Sequence, residues 1–228
     1  MKKFLAALAA TVTALGISYA APVTVNLMNL HVNHQGVAHI DDVMTPHGKL
    51  DFIVSGMVKK NGKWQLSDDM YSGNSGLWLD RGGNDNHQVD GKGKDEGILI
   101  QAQSHDNKEL VHIDFTSFTF TYVSSDDEFS VFGGEEGYRT VSLIHDDVDI
   151  PGNSTPYLSS PVTAPILVEN VATVIVAALE KNDDWKLKSF SFEWKKDEPM
   201  DPVPLPGALP LMAAGLGALG FARKKRRA

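Results

Sequence analysis

The sequence predicts an all-β fold, an antiparallel β-sandwich of the jelly-roll type, flanked by an N-terminal signal peptide and a C-terminal transmembrane sorting helix. Three observations predict it. Large apolar side chains alternate with polar ones in about ten short segments, turn clusters separate these segments, and an apolar stretch stands at each end of the chain. An up-and-down β-barrel is the structural alternative.

The N-terminal segment has the three parts of a secretory signal peptide. Lys2 and Lys3 form a charged start, residues 4–17 are apolar, and residues 18–20 read Ser-Tyr-Ala, a small-x-small cleavage site. We therefore expect residues 1–20 to be removed and the mature chain to begin at Ala21.

Alternation with a period of two predicts the strands. The side chains of each such set are large and share one face of a strand: Val23, Val25 and Leu27; Val111, Ile113 and Phe115; Phe118, Phe120 and Tyr122; Phe190, Phe192 and Trp194. Further strand candidates lie at residues 50–58, 76–80, 97–102, 128–132, 140–144 and 173–179.

Turn clusters at 61–62 (Asn-Gly), 81–86 and 151–153 separate the strands. Because no break in composition divides the region, residues 21–198 are expected to form one extracellular domain, followed by a sorting segment at 199–228. The chain has no cysteine, so this domain is stabilised by its core, without disulfides.

The body of the chain is strongly acidic. Lys2, Lys3 and the five basic residues at 223–227 supply seven of the 21 Lys and Arg, which leaves 14 basic against 29 acidic side chains and a net charge of −15. Such a body repels nucleic acid and attracts cations, so nucleic-acid binding is not expected.

The loop at 84–96 is the candidate metal site. Six oxygen-bearing side chains fall within thirteen residues: Asn84, Asp85, Asn86, Asp90, Asp95 and Glu96. Calcium prefers six to eight oxygen ligands, so the loop predicts a Ca²⁺ site, with a solvated acidic turn as the alternative.

Two more acidic clusters, at 126–128 and 183–184, each stand at the start of a strand and could meet at one end of a sandwich. Each pair by itself is also typical of turn residues that bind their own backbone. His31, His34, His39 and His47 are interpreted as polar loop residues, with a zinc site as the alternative.

Tryptophan supplies flat apolar faces on which sugar rings stack. Trp64, beside the turn at 61–62, and Trp78, just before the acidic loop, are the candidate carbohydrate contacts. Core packing is the alternative for both.

The C-terminal segment has the order of a sorting signal. A proline-rich hinge comes first (Val203, Pro204, Leu205, Pro206 and Gly207), then an apolar stretch to residue 222, then a basic end (Arg223, Lys224, Lys225, Arg226 and Arg227). As a helix the 18 residues from 205 to 222 would be about 27 Å long, just enough to cross a hydrocarbon core of about 30 Å. The basic end would remain cytoplasmic.

These residues resemble the VPLPA variant of the PEP-CTERM sorting signal, with Gly207 where that family usually has Ala. The resemblance implies processing by an exosortase-type membrane protease of a Gram-negative bacterium that makes exopolysaccharide. The protein would be inserted transiently in the inner membrane and then released to the cell surface or the extracellular matrix.

The middle of the chain resembles, over about half of its length, the extracellular domain often found upstream of such signals. The matching segments are 75–79, 84–91, 125–129, 177–179 and 182–189. This resemblance implies a shared β-sandwich and no particular ligand.

Catalytic motifs are missing from the sequence: it has no G-x-S-x-G, no P-loop and no G-x-G-x-x-G that opens a helix. We therefore expect a non-enzymatic surface or exopolysaccharide-matrix protein that binds calcium and polysaccharide, as a component of a biofilm. A lectin-like carbohydrate-binding module is the alternative, and a glycoside hydrolase that uses paired carboxylates is a third.

Overall fold

The computed structural model describes residues 21–80, 88–151 and 160–195. The predicted signal peptide (1–20) and the predicted sorting segment (199–228) lie outside these residues. Residues 196–198, the predicted end of the domain, lie outside them as well. All the strands belong to one compact unit that ends at Glu193. The described residues contain no helix long and apolar enough to cross a membrane.

Fourteen strands are described. They are β1 (Val23–Asn26), β2 (Val37–Thr45), β3 (Gly48–Lys60), β4 (Lys63–Ser67), β5 (Met70–Gly73), β6 (Gly76–Leu79), β7 (Val89–Asp90), β8 (Glu96–Ser104), β9 (Ile113–Thr121), β10 (Glu128–Gly134), β11 (Ser142–Asp149), β12 (Val162–Val171), β13 (Thr173–Ala178) and β14 (Asp184–Glu193). The described residues form no helix, so the all-β prediction is confirmed.

The strands form two antiparallel sheets. Sheet I has the order β12-β9-β14-β6-β5, with β1 and β7 also paired to β14. Sheet II has the order β11-β10-β13-β8-β3-β2, with β4 paired to the second half of β3.

Phenylalanine rings join the inner faces of the two sheets. Phe52 of sheet II packs edge-on against Phe190 of sheet I at 5.1 Å between centroids, and Phe129 lies 4.8 Å from Phe120. All four are buried, so the core is the space between two sheets, the arrangement of a β-sandwich.

The Asn61-Gly62 turn connects β3 to β4 as the sequence predicts. Both residues have positive φ angles, 52° and 73°, and Lys60 pairs with Lys63 across the turn. Asparagine and glycine tolerate this left-handed backbone, which matches the twist of the strands.

Sheet II is apolar on both faces. All six residues of β13 are buried, and the outer face carries a cluster of Met57, Leu99, Ile175 and Ala177. The chain that links β10 to β11 covers part of this cluster with Tyr138 and Val141. This second apolar layer forms the floor of the groove described below.

Candidate functional site

The predicted calcium loop, 84–96, is described only from residue 88 onward. Asn84, Asp85 and Asn86 lie outside the described residues. The Asp95 carboxylate accepts a hydrogen bond from Lys59 Nζ at 2.9 Å, and both side chains are about 70% buried. Asp95 therefore ties the loop to β3 through an ion pair.

Asp90 and Glu96 come together at the end of the same loop. Glu96 is fully buried at the start of β8, and its Oε2 accepts a hydrogen bond from the Asp90 N–H at 3.2 Å. Asp90 pairs with Asp184 across β7 and β14, and the N–H of Gly91 donates to the Asp183 carbonyl at 3.3 Å. The loop thus ends against the turn that precedes β14.

The two other acidic clusters meet at this end of the unit and hold each other through backbone hydrogen bonds. The Asp183 carboxylate accepts from the N–H groups of Glu128 and Glu180, at 3.1 and 2.9 Å. The Asp127 carboxylate accepts from the N–H of Asp184 at 3.2 Å. The prediction that the clusters could meet is correct, and the turn interpretation also holds because the carboxylates bind main-chain N–H groups.

Burial makes these carboxylates harder to ionise. It raises the pKa of Asp183 to about 6 and that of Asp184 to about 6, and it raises the pKa of Asp127. The charge of Asp127 raises the pKa of both partners further. Above about pH 6, Asp183 and Asp184 therefore carry closely spaced negative charges, which a cation would neutralise.

Beside the hydrogen bonds between residues 126–128 and 183–184, three carboxylates from different segments converge. One oxygen each of Glu128, Asp147 and Glu180 lies within 4.8 Å of the others. Burial raises the pKa of Glu128, and the charges of Asp147, Asp149, Asp183 and Glu180 raise it further. Glu128 is half-buried, whereas Asp147 and Glu180 are exposed.

The donor set of this trio suits a hard cation. Ca²⁺ binds carboxylate oxygens in one- or two-oxygen fashion and completes its shell with water, and the trio offers six oxygens. Within the described ranges, it is the only group of three such side chains. The oxygen ligands of this trio therefore suit Ca²⁺, and Glu128, Asp147 and Glu180 are the residues that would hold the ion.

The Trp64 groove is an open cavity of about 590 Å³ on the outer face of sheet II. β4 forms one wall and the β10–β11 connection forms the other. The residues that line it are Gly62, Lys63, Trp64, Gln65, Leu66, Tyr138, Arg139 and Val141. Two aromatic rings and a guanidinium therefore share one concave surface.

Trp64 is held in place by neighbouring side chains. Its ring packs edge-on against Phe132 at 5.3 Å, and Lys59 Nζ lies 5.7 Å from the centroids of both rings. The Nε1 of Trp64 is buried and has no hydrogen-bond partner among the described residues. Trp64 is therefore half-buried: it packs against the apolar cluster and also lines the groove.

Arg139 gives the groove a cationic rim. Its guanidinium lies 5.7 Å from the centroid of the Tyr138 ring, and no described carboxylate lies within 4.0 Å of it. A guanidinium in this position keeps its hydrogen-bond donors available for a ligand.

Trp78 lies on the other sheet, on the outer face of sheet I. It pairs with Tyr71 across β5 and β6, and their rings are within 20° of parallel at 6.2 Å. Lys186 Nζ lies 4.4 Å from the Trp78 centroid and 4.5 Å from that of Tyr122. The two predicted carbohydrate contacts, Trp64 and Trp78, therefore belong to separate surfaces.

The histidines do not gather at one point. His31 and His34 line a cavity of about 490 Å³ with Asp68 and Tyr71, whereas His39 lies within β2. The interpretation of His39 as a loop residue is wrong, because the polar stretch around it forms an edge strand that needs few buried side chains.

Sequence reasoning missed Asp147, Glu180, Tyr138 and Arg139. Asp147 belongs to an acidic stretch at 146–149 and Glu180 stands alone, and only the pairing of β10 with β11 and with β13 brings them beside Glu128. The turn after Gly133-Gly134 was the available signal for Tyr138, since a loop that carries an aromatic and a cation often contacts a ligand.

Comparisons with protein-family models, with curated proteins and with solved structures found no match to this chain.

Proposed function

We propose that this chain is an exported, non-enzymatic protein of the cell surface or exopolysaccharide matrix, and that it binds polysaccharide in the Trp64 groove. The observation that carries the proposal is the groove itself, a cavity of about 590 Å³ whose lining includes Trp64, Tyr138 and Arg139.

The chemistry of the groove suits a sugar chain. The C–H faces of a pyranose ring stack on an aromatic ring, while side-chain donors bind the hydroxyl or carboxylate groups around it. Arg139 supplies such donors beside Trp64 and Tyr138, while Lys63 and Gln65 border the groove from β4. The groove is open to solvent, so it accommodates a segment of a longer polymer.

The lining of the groove supports binding over hydrolysis. A glycoside hydrolase of the usual kind needs two carboxylates on either side of the scissile bond. The described residues that line the Trp64 groove include no aspartate or glutamate. We therefore prefer polysaccharide binding, by a matrix protein or by a specific lectin-like module, over the glycoside hydrolase alternative.

The proposed route to the surface depends on the two ends of the sequence. Residues 1–20 would direct export, and residues 199–228 would hold the chain in the inner membrane until an exosortase-type protease cuts near the 203–207 motif.

The order of the strands supports a jelly-roll-like fold for the exported domain, because consecutive strands such as β8, β9 and β10 alternate between the two sheets.

Calcium is the proposed cofactor of the acidic end, the part of the unit that contains residues 126–128, 147, 180 and 183–184. Glu128, Asp147 and Glu180 supply the ligands, and the ion would offset the repulsion between Asp127, Asp183 and Asp184. The approach of the three carboxylates to within 4.8 Å supports this assignment.

The test is co-sedimentation of the full chain, in detergent, with the exopolysaccharide of the producing organism, in Ca²⁺ and in chelator. Saturable pelleting that Trp64→Ala and Arg139→Gln both weaken is expected. Leu167→Ser is the matched control, because Leu167 is 54% exposed on β12 and outside the groove. Equal pelleting of all four proteins would remove the groove from the binding site.

A further inference from the structure

The outer face of sheet I carries a second aromatic surface, made of Tyr71, Trp78 and Tyr122 around Lys186. Tyr71 is 48% exposed, and its ring lies within 20° of parallel to that of Trp78. The Trp78 ring lies against Gly73, where a Cβ would be 3.0 Å from it. The missing side chain lets the indole lie close to the sheet and leaves a broad apolar surface.

Two aromatic rings hold the Lys186 ammonium. Its Nζ lies 4.4 Å from the Trp78 centroid and 4.5 Å from the Tyr122 centroid, which are cation–π distances. Among the described residues no carboxylate lies within 4.0 Å of Nζ. Burial lowers the pKa of Lys186. In so acidic a protein, a cation that two aromatic rings hold, with no acidic partner among the described residues, is complementary to an external anion.

The two aromatic surfaces face away from each other. Trp78 and Lys186 alternate along β6 and β14 with the buried Leu77, Leu79, Trp185 and Leu187, so they lie on the outer face of sheet I. Trp64 packs with Met57 on the outer face of sheet II. The phenylalanine core lies between them, and a single sugar chain cannot lie on both surfaces without turning around the molecule.

We propose that Tyr71, Trp78, Tyr122 and Lys186 form a second glycan-binding surface that takes acidic sugars, and that the protein uses its two faces to cross-link polysaccharide chains. The inference rests on the proposed function of the Trp64 groove. A uronate ring stacks on Tyr71 and Trp78, and its carboxylate pairs with the Lys186 ammonium.

Cross-linking follows from geometry even where each surface binds weakly. Two sites on one rigid unit hold two chains at a fixed separation, and many such links along a polymer add to a stable network. A protein with one site would coat the polymer without connecting its chains.

The experiment compares binding with cross-linking, using the full chain in detergent, polygalacturonate as the acidic probe and dextran as the neutral one, all in chelator. Sedimentation measures binding, and light scattering measures the growth of the complexes. Lys186→Gln removes the charge and keeps most of the stem, Trp64→Ala changes the other face, and Leu167→Ser is the control. Thermal melts of each variant report folding.

The wild type and Leu167→Ser should form large complexes with polygalacturonate at intermediate ratios of protein to polymer. Lys186→Gln and Trp64→Ala should each still bind while the complexes stay small, and Lys186→Gln should bind polygalacturonate about tenfold more weakly without a change toward dextran. The double variant should not bind.

Large complexes that persist in both folded single variants would overturn the cross-linking inference, because the detergent-bound tail or another contact would then connect the molecules. Binding without large complexes in the wild type would overturn it as well, and would leave the Trp64 groove as a single site. Absence of wild-type binding to any polysaccharide, including the native one, would overturn the proposed function too.

Discussion

The Asp127 carboxylate accepts a hydrogen bond from the backbone N–H of Asp184 at 3.2 Å. Through this contact, the turn before β10 and the turn before β14 hold each other, although 57 residues separate them. Trp185 adds a second link, since its Nε1 donates to the Glu128 carbonyl at 3.1 Å. The acidic end is therefore an ordered part of the unit, and its charge has consequences for stability.

The first prediction concerns the charge of Asp184. Its pKa is raised to about 6, first by burial, so the native state holds a proton that the unfolded chain releases near pH 4. Stability should therefore fall as the pH rises from 4 to 6 and stay low above 6. Asp184→Asn keeps an oxygen to accept from Gln88 and should raise the free energy of unfolding by about 2 kcal/mol at pH 7 in chelator.

Urea unfolding of the wild type and Asp184→Asn at pH 4 and pH 7 measures this difference. Asp106→Asn is the control, since Asp106 lies in an exposed turn. An equal advantage of Asp184→Asn at both pH values would contradict the titration account.

The pKa of Asp51 predicts the opposite dependence of stability on pH, in a lower pH range. Its side chain is 5% exposed and accepts hydrogen bonds from Lys108, from His105 at 3.0 Å and from the N–H of Asp42 at 2.9 Å. These bonds outweigh burial and lower the pKa of Asp51 to about 2. The depressed pKa stabilises the fold above about pH 4, and this contribution disappears as the pH falls toward 2.

Asp51→Asn should lower the free energy of unfolding by about 2 kcal/mol at pH 7 and by much less at pH 2. Urea titrations at several pH values check this, with Asp106→Asn again as the control. A wild type whose stability does not change between pH 4 and pH 2 would argue against the role of Asp51.

The alternation of apolar residues predicted the central strands well because these strands face a core. β3, β8, β10, β13 and β14 all overlap predicted segments. β2 and β12 were missed because they are sheet edges: β2 carries exposed acidic residues, and β12 contains Pro165, after which its pairing with β9 shifts register. Edge strands lack the strong apolar pattern on which such predictions depend.

The candidate sites were predictable only where the chemistry was local. Trp64 and Trp78 stand next to turns, and each proved to lie on an outer face. The trio of Glu128, Asp147 and Glu180 depends on strand pairing across many residues, which a single sequence does not specify.

Calcium should stabilise the protein through the trio. A ligand that binds only the folded state raises the free energy of unfolding by about 2.7 kcal/mol at a hundredfold excess over Kd. Thermal melts in chelator and in millimolar Ca²⁺ should show this shift, and Glu180→Gln should remove most of it. Asp95→Asn is the matched control, because Asp95 is bound to Lys59. A shift that Asp95→Asn removes and Glu180→Gln leaves unchanged would place the ion in the 84–96 loop instead.

Gly91 should control the position of Glu180. A Cβ at Gly91 would lie 2.0 Å from the Glu180 carbonyl oxygen and 2.9 Å from its nitrogen, so Gly91→Ala must push the two segments apart. We expect a loss of about 1–3 kcal/mol in the free energy of unfolding, as for other overpacked sites. Because the displaced backbone carries Glu180, the stabilisation by Ca²⁺ should shrink as well. Lys92→Ala, at an exposed neighbour, should leave both quantities unchanged. Parallel melts of the two variants with and without Ca²⁺ measure this, and an unaltered calcium shift in a destabilised Gly91→Ala protein would separate the trio from this contact.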